Sequence, residues 1–561
     1  MNALRQTANL TAAFLTIISL SIGLTACSGD DGAPGPAGPA GAAGADGVDG
    51  VDGAAGNSGL SCWDLNENGV GDLPDEDING DGVVDILDCN AAVGGISTPA
   101  ALHKSWFTGK TYDGTESCLT CHGPIGDDML QTAHFKWEGT ASNIAGYEGE
   151  DHGKNDIINN FCIAVPSNEG RCTQCHAGYG YADNTFAFDD PKTVDCLICH
   201  DQSGTYAKAK TTAGLPETDP PVDLQLVAQS VGENGGVPGR SNCVPCHAKA
   251  GGGDNVKHGD IAMSLIDTTR EYDVHLGADG GDMNCVTCHD VERDINGKVA
   301  GHGIGGMPYH SVDEGEMKQC TDCHGDRFNI HVNTSVENTI GIGAHDVLAC
   351  QTCHIPTFAR NTSTKTQWYW EDAGQDIAPI PTDPATGRPT YDKKKGTFVW
   401  ENNVRPTLLY HDGKWNKMLI GKNDQYVTTP VDLASPTATY NTAGAMIYPF
   451  KKMIGTQPAD AGNNTILVPH LFGLKGGPNP YWAKYDWDLA LTDGATYAGQ
   501  TYTGAYDFVD TVMYLTVNHE IAPKEEAYGY NNECNDCHFG GGVDFTLLGY
   551  DADPLQGGSR P

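Results

Sequence analysis

Apolar residues gather into only one long block in this chain, Ala12 to Leu24, behind a short polar start that carries Arg5. That length suits the hydrophobic stretch of a secretory signal and falls short of the ~20 residues of a spanning helix. No later segment is apolar for long enough to span a bilayer. The pattern then loses its hydrophobic period. From Gly32 to Gly59 glycine returns at every third position, with Pro34, Pro36 and Pro39 between the first of them. Between 118 and 354 the chain is rich in Gly and Asp, which predicts loops and short helices. From 355 to 533 it carries aromatic runs, among them Trp368-Tyr369-Trp370, Trp400, and Tyr481-Trp482 through Trp487. These patterns predict mainly α-helix and coil with little strand.

The apolar block ends in Leu24-Thr25-Ala26-Cys27, which resembles the lipobox of bacterial lipoproteins. That resemblance implies a signal peptide at 1–26 and a lipid on Cys27. Ser28 in second place implies sorting to the outer membrane, facing the periplasm or the cell surface. The stretch 27–61 then reads as lipid anchor and tether. Its Gly-X-Y pattern is that of collagen, where only Gly fits the axis of three polyproline-II strands, so a trimer through the tether is one expectation and a solvated spacer the other. Extended, the repeat reaches about 85 Å.

Residues 62–90 carry two acidic loops thirteen residues apart. The first offers Asp64, Asn66, Asn68, Asp72 and Asp75 around Gly69; the second offers Asp77, Asn79, Asp81, Asp85 and Asp88 around Gly82. Oxygen side chains at positions 1, 3, 5, 9 and 12 with Gly at 6 match calcium-loop spacing. The pair resembles dockerin-type repeats, with Asp in the twelfth place where Glu is usual. Cys62 and Cys89 bracket this module and are candidates for a disulfide staple.

Charge narrows the partners. With 33 Lys+Arg against 73 Asp+Glu the chain carries −40. Nucleic-acid binding needs clustered cations to displace counterions, and so does docking on anionic lipid. Both are excluded as main functions. Twenty cysteines are too many for a reduced cytosolic enzyme without metal or cofactor.

Sixteen of those cysteines fall into Cys-x-x-Cys-His, which occurs eight times. The motifs are Cys118-Cys121-His122, Cys172-Cys175-His176, Cys196-Cys199-His200, Cys243-Cys246-His247, Cys285-Cys288-His289, Cys320-Cys323-His324, Cys350-Cys353-His354 and Cys534-Cys537-His538. The spacing lets two thiols add to the haem vinyls while the adjacent imidazole meets the iron. Eight repeats predict eight covalent haems c. Seven motifs lie within 118–354, so haem replaces much of the ordinary core there, and 355–533 carries none.

Twelve histidines remain: His103, His134, His152, His258, His275, His302, His310, His331, His345, His411, His470 and His519. Haems that only pass electrons are six-coordinate, so eight would need eight distal ligands. The leading candidates are His134, His258, His275, His302, His310, His345, His470 and His519. Cys162 is left without a thiol partner, either a plain buried residue or a reactive group.

Several stretches together resemble the octahaem tetrathionate reductase family. They include Asn159-Asn160-Phe161-Cys162 leading into Arg171-Cys172, Asp201-Gln202-Ser203-Gly204-Thr205-Tyr206 after His200, and Val256-Lys257-His258-Gly259-Asp260. Ala349 to Pro356, Phe398-Val399-Trp400, Val468-Pro469-His470 and Ala522-Pro523-Lys524-Glu525 continue the likeness in order. It spans roughly 100–540, within a cytochrome domain expected at 97–561. Tether and calcium loops are additions to the family pattern, and 140–158 departs from it, with Gly153-Lys154-Asn155-Asp156 where a basic stretch is expected.

The resemblance implies one catalytic haem among seven electron carriers. It places Lys257 as distal ligand of the second haem, His176 as its proximal ligand and Cys162 close by. The implied activity is reduction of tetrathionate, or of nitrite or hydroxylamine, with electrons from donor cytochromes or a quinol oxidase. The rival expectation is a surface electron conduit to extracellular acceptors. A small oxyanion approaching so acidic a protein needs local cations, for which Arg171, Lys257, Lys393-Lys394-Lys395, Lys451-Lys452 and Lys524 are candidates.

Overall fold

The structure is a computed structural model. It describes residues 72, 73, 84 and 98–560, apart from 234–235, 294–298, 307–315, 326–329, 332–342, 474 and 531–533. The signal and tether, Cys27, Cys62, Cys89, all the calcium-loop candidates except Asp72, and His310 lie outside the described residues.

The haem-motif half is built from single helical turns, because Cys, Cys and His at i, i+3 and i+4 share one face of a turn. Cys320–His324, Cys350–His354 and Leu197–His200 are such turns, and Arg240–Lys249 carries the fourth motif. Glu116–Met129 carries the first and kinks at His122, with Pro124 just beyond. Small pairings lie between the motifs: β1 Glu138–Thr140 with β2 Asp151–Gly153, and β3 His289–Arg293 between β4 Val299–Ile304 and β5 Glu316–Met317.

The haem-free half corrects the expectation of little strand. It forms one nine-stranded sheet from β6 Thr364–Tyr369, β7 Tyr391–Asp392, β8 Gly396–Glu401, β9 Thr407–His411, β10 Trp415–Lys417, β11 Val431–Pro436, β12 Met446–Asp460, β13 Thr465–Ile466 and β14 Tyr506–Thr516. Its order is β10-β11-β14-β12-β6-β8-β7, with β9 and β13 paired to the two ends of β12. The cause is a period of two: Phe398 and Trp400 of β8, and Thr511, Met513 and Leu515 of β14, turn to the same buried side. The aromatic runs make this sheet's core. Trp368 stacks on Trp370 at 5.2 Å, and Tyr481 on Trp487 at 3.9 Å.

Candidate functional site

The motif histidines meet other histidines at a constant spacing. Ring centroids lie 6.2 Å apart for His122–His103, 6.2 Å for His247–His134, 6.2 Å for His289–His519, 5.9 Å for His324–His275, 6.3 Å for His354–His331 and 6.1 Å for His538–His345. His302 lies within electrostatic reach of His200. Two metal–nitrogen bonds of about 2 Å plus two ring radii fill such a gap. The other ring nitrogen is occupied where a ligand would need it held. Nδ1 contacts a backbone carbonyl in His103, His200 and His289, and a carboxylate in His302, His519 and His538. That leaves Nε2 for metal, the arrangement by which a supporting group orients a ligating imidazole. These residues fit haem iron.

The sequence candidates divide accordingly. His134, His275, His302, His345 and His519 are brought to motif histidines. His470 is buried beside Asp493, with Nε2 at 3.1 Å from the Phe472 carbonyl, and His411 packs among Trp415, Tyr448 and Phe450. His258 is half-buried on the loop beside Lys257. His103 and His331 were not among the leading candidates. Their signal was spacing, since each precedes the motif it faces by only a short segment.

His176 differs. Among the described residues no second imidazole stands at that spacing from it. Five aromatic rings surround it instead: Phe135, Trp137, Tyr181, Phe186 and Phe188, at 5.0 to 6.1 Å. Burial drives its pKa down to about 3, which keeps the neutral form that binds metal. Its Nε2 contacts the Phe135 carbonyl while Nδ1 has no partner, so metal binding there requires the ring to exchange that contact. Behind it, buried Lys208 donates to the carbonyls of His176 and Gly178 and pairs with Asp195 at 3.1 Å.

The groups gathered around this motif are cations and a thiol. Cys162 lies within electrostatic reach of Cys172, and so do Lys154 and Arg171. Lys154 also reaches Cys175, His247 and Lys257. The turn bearing Cys162 is strained, because Ile163, β-branched and fully buried, sits at φ 68°. Asn160 holds it to the sheet, donating to the Met453 carbonyl at 2.8 Å and accepting from Thr511. Gly252, at φ +80°, stands where a Cβ would lie 3.2 Å from the Cys162 sulfur, so the Lys257 loop passes directly over the thiol. Burial, reinforced by Lys154 and Lys417, lowers the Lys257 pKa to about 7. An amine with a substantial neutral fraction near pH 7 can donate its lone pair.

Besides Lys154 and Lys208, two further cations lie outside those the sequence pointed to. Lys417, nearly buried, has Nζ 3.8 Å from the Trp415 ring, and burial takes its pKa to about 7. Lys365 lies among Trp368, Phe398 and Trp400, with Nζ 3.1 Å from the Phe398 centroid, and burial holds its pKa well below the usual value. Both sit on strands, β6 and β10, and nothing in their local sequence marks a lysine that points inward. Lys451, read as a cation for substrate, is fully buried and turned to the backbone.

Thiols of different motifs also meet. Cys118 hydrogen-bonds Cys196, Cys175 meets Cys246, Cys243 meets Cys285, and Cys320 meets Cys350. Cys199 is in electrostatic reach of Cys243, Cys288 of Cys323, and Cys353 of Cys537. All eight motifs therefore form one connected series.

The crystal structure of octahaem cytochrome c from Shewanella oneidensis is similar to this chain with a TM-score of 0.68 and 39% identity, covering 81% of this chain and 98% of that one. The chain belongs to the octahaem cytochrome c family. A family model described as bacterial cytochrome c matches residues 365–541 of this cytochrome, the sheet and the last motif. An uncharacterised protein of Archaeoglobus fulgidus is 24% identical over 228 residues, 32% of this chain and 74% of its own length. The cytochrome is thus a multihaem redox protein carrying covalently bound haem c.

Proposed function

We propose that this cytochrome carries eight haems c and reduces tetrathionate, or nitrite or hydroxylamine, at the second motif, where His176 and Lys257 would hold the iron. The observation that carries this reading is the contrast among motifs. Seven have a second histidine beside them, whereas the second has a thiol, Cys162, and the cations Lys154, Arg171 and Lys257. Bound haem supplies single electrons at a potential set by its axial ligands and burial. The chain's own residues supply the rest. Neutral Lys257 is a displaceable ligand, Lys154 and Arg171 offset the −40 of the whole chain for an approaching anion, and the aromatic cage excludes water behind His176. For tetrathionate, two electrons split the central S–S bond into two thiosulfates, and no proton is consumed. The seven His-paired motifs serve electron transfer only.

The exposure of Cys320, Cys323 and Cys534 supports a second role for the far end of the series, exchange of electrons with a partner cytochrome or an extracellular acceptor. An outer-membrane lipid on Cys27, with the 27–61 stretch as spacer and Ca2+ in the 62–90 loops, would present the cytochrome to such partners. Spectra of Lys257 variants test the main reading. Lys257→Ala should yield a high-spin ferric signal from one haem in eight, and Lys257→His should abolish turnover while leaving the other seven haems unchanged. Unaltered spectra and turnover in both variants would refute Lys257 as ligand and leave the conduit role standing.

A further inference from the structure

The loop that carries Lys257 is clamped from the haem-free sheet, chiefly by Lys451. Lys451 of β12 is fully buried. An ammonium has three N–H donors, and Lys451 spends all three: 2.6 Å to the Val256 carbonyl, 3.1 Å to the Lys257 carbonyl and 2.7 Å to Thr364 Oγ1. Thr364 in turn donates to the Asn255 carbonyl, and Asn255 donates to the Gly259 and Thr362 carbonyls. Gly259, at φ +90°, lies so near the Phe358 ring and the Lys451 stem that a Cβ there would meet them at 2.6 and 3.2 Å.

Burial lowers the Lys451 pKa to about 7, and its protonated form is costly at such a position unless every donor is satisfied. Here the satisfying groups include the carbonyls on both sides of the Lys257 Cα. No carboxylate takes any of the three bonds. Nor is a donor left for a substrate anion, so the cation does not serve in binding.

We infer that Lys451 is a positioning residue for the second-motif site, holding the Val256–Lys257 backbone so that the Lys257 amine is fixed in place. This rests on Lys257 being the ligand. It also gives the haem-free sheet a task within the site: β12 holds the Lys257 loop through Lys451 and the Cys162 turn through the Met453 carbonyl.

The test uses the haem-loaded protein and cyanide as probe. In Lys451→Met the Lys257 amine should compete less well for its site, so ferric protein should bind one cyanide per molecule about tenfold more tightly than wild type. Lys451→Arg, which keeps donors at this position, should restore most of the difference. Thr364→Val, which removes one of the three acceptors, should fall between them. Lys257→Ala is run alongside. If it leaves cyanide binding unchanged, the ligand reading itself fails. If Lys257→Ala opens the site while Lys451→Met binds cyanide as wild type does, the clamp is refuted and the ligand reading stands. A Lys451→Met protein with a lower thermal midpoint and unchanged cyanide affinity would mark Lys451 as structural only, which also overturns the inference. Should Lys451→Met not fold, the order Lys451→Arg below Thr364→Val in cyanide affinity is required, and its absence is the refutation.

Discussion

Glu169 is held, nearly fully buried, between the second motif and the sheet half, and burial raises its pKa from 4.5 to about 7 against the opposing hydrogen bond from Tyr497. Its native pKa lies above its unfolded one, so the folded state keeps the proton longer. Stability should therefore fall as pH rises through the interval from 4.5 to about 7, then level off. The loss is at most between about 3 and 4 kcal/mol, at about 1.4 kcal/mol per unit. Glu169→Gln should lack that component, so thermal midpoints by far-UV circular dichroism should converge at acid pH and favour the variant near pH 8. Parallel curves would contradict it. Cys162 invites a chemical test. Cys162→Ser should slow tetrathionate turnover more than nitrite turnover, because only a sulfur substrate exchanges with a thiolate, and equal loss on both substrates would make Cys162 a packing residue. At this scale the sequence was most informative for the proximal imidazoles, since thiols and His lie within one helical turn. It was least informative for their partners. His519 meets His289 across more than two hundred residues, and nothing local separates it from His470, which the fold leaves beside Asp493.

At the scale of elements, the sheet was the part hidden from the sequence. Its aromatic runs are compatible with haem contact as much as with a strand core, and the single-turn helices of the motif half drew the expectation toward helix. Alternation in β8 and β14 carries the strand signal, whereas β12 obscures it. Met446–Asp460 is buried on both faces along most of its length and contains Pro449 and Pro458, so it shows neither a period of two nor the usual strand composition. It nevertheless pairs with β6, β9, β13 and β14, in parallel with the first and antiparallel with the others. A strand so enclosed can carry an inward cation only if the backbone of another segment receives it, as Val256 and Lys257 receive Lys451. The same enclosure explains why Lys365 and Lys417 were missed as site cations. Lysine in a strand ordinarily faces water, and only the packing of a second layer turns it inward.

Across the whole molecule, thiol contacts give the motifs an order that differs from their order in sequence. The first motif meets the third through Cys118 and Cys196, and the third reaches the fourth through Cys199. From the fourth the series continues to the fifth, sixth, seventh and eighth. The second motif joins through Cys175 and Cys246, so among the described contacts the fourth is the junction by which the second is reached. If haem order follows these thiol contacts, electrons entering at either end would pass that junction before reaching the proposed site. His134, opposite His247 at 6.2 Å, offers a way to alter it without touching the site's own ligands. Methionine paired with histidine raises a haem's potential, so His134→Met should turn the junction into an electron trap. Each ~59 mV of rise is worth a factor of ten in a one-electron equilibrium. Spectroelectrochemistry should show one haem shifted upward. Steady-state turnover of tetrathionate or nitrite should fall by about tenfold for such a rise, and cyanide binding at the second motif should keep its wild-type affinity. Unchanged turnover beside a shifted junction potential would mean that electrons reach the second motif by a path outside the thiol series, and the order drawn from those contacts would be wrong.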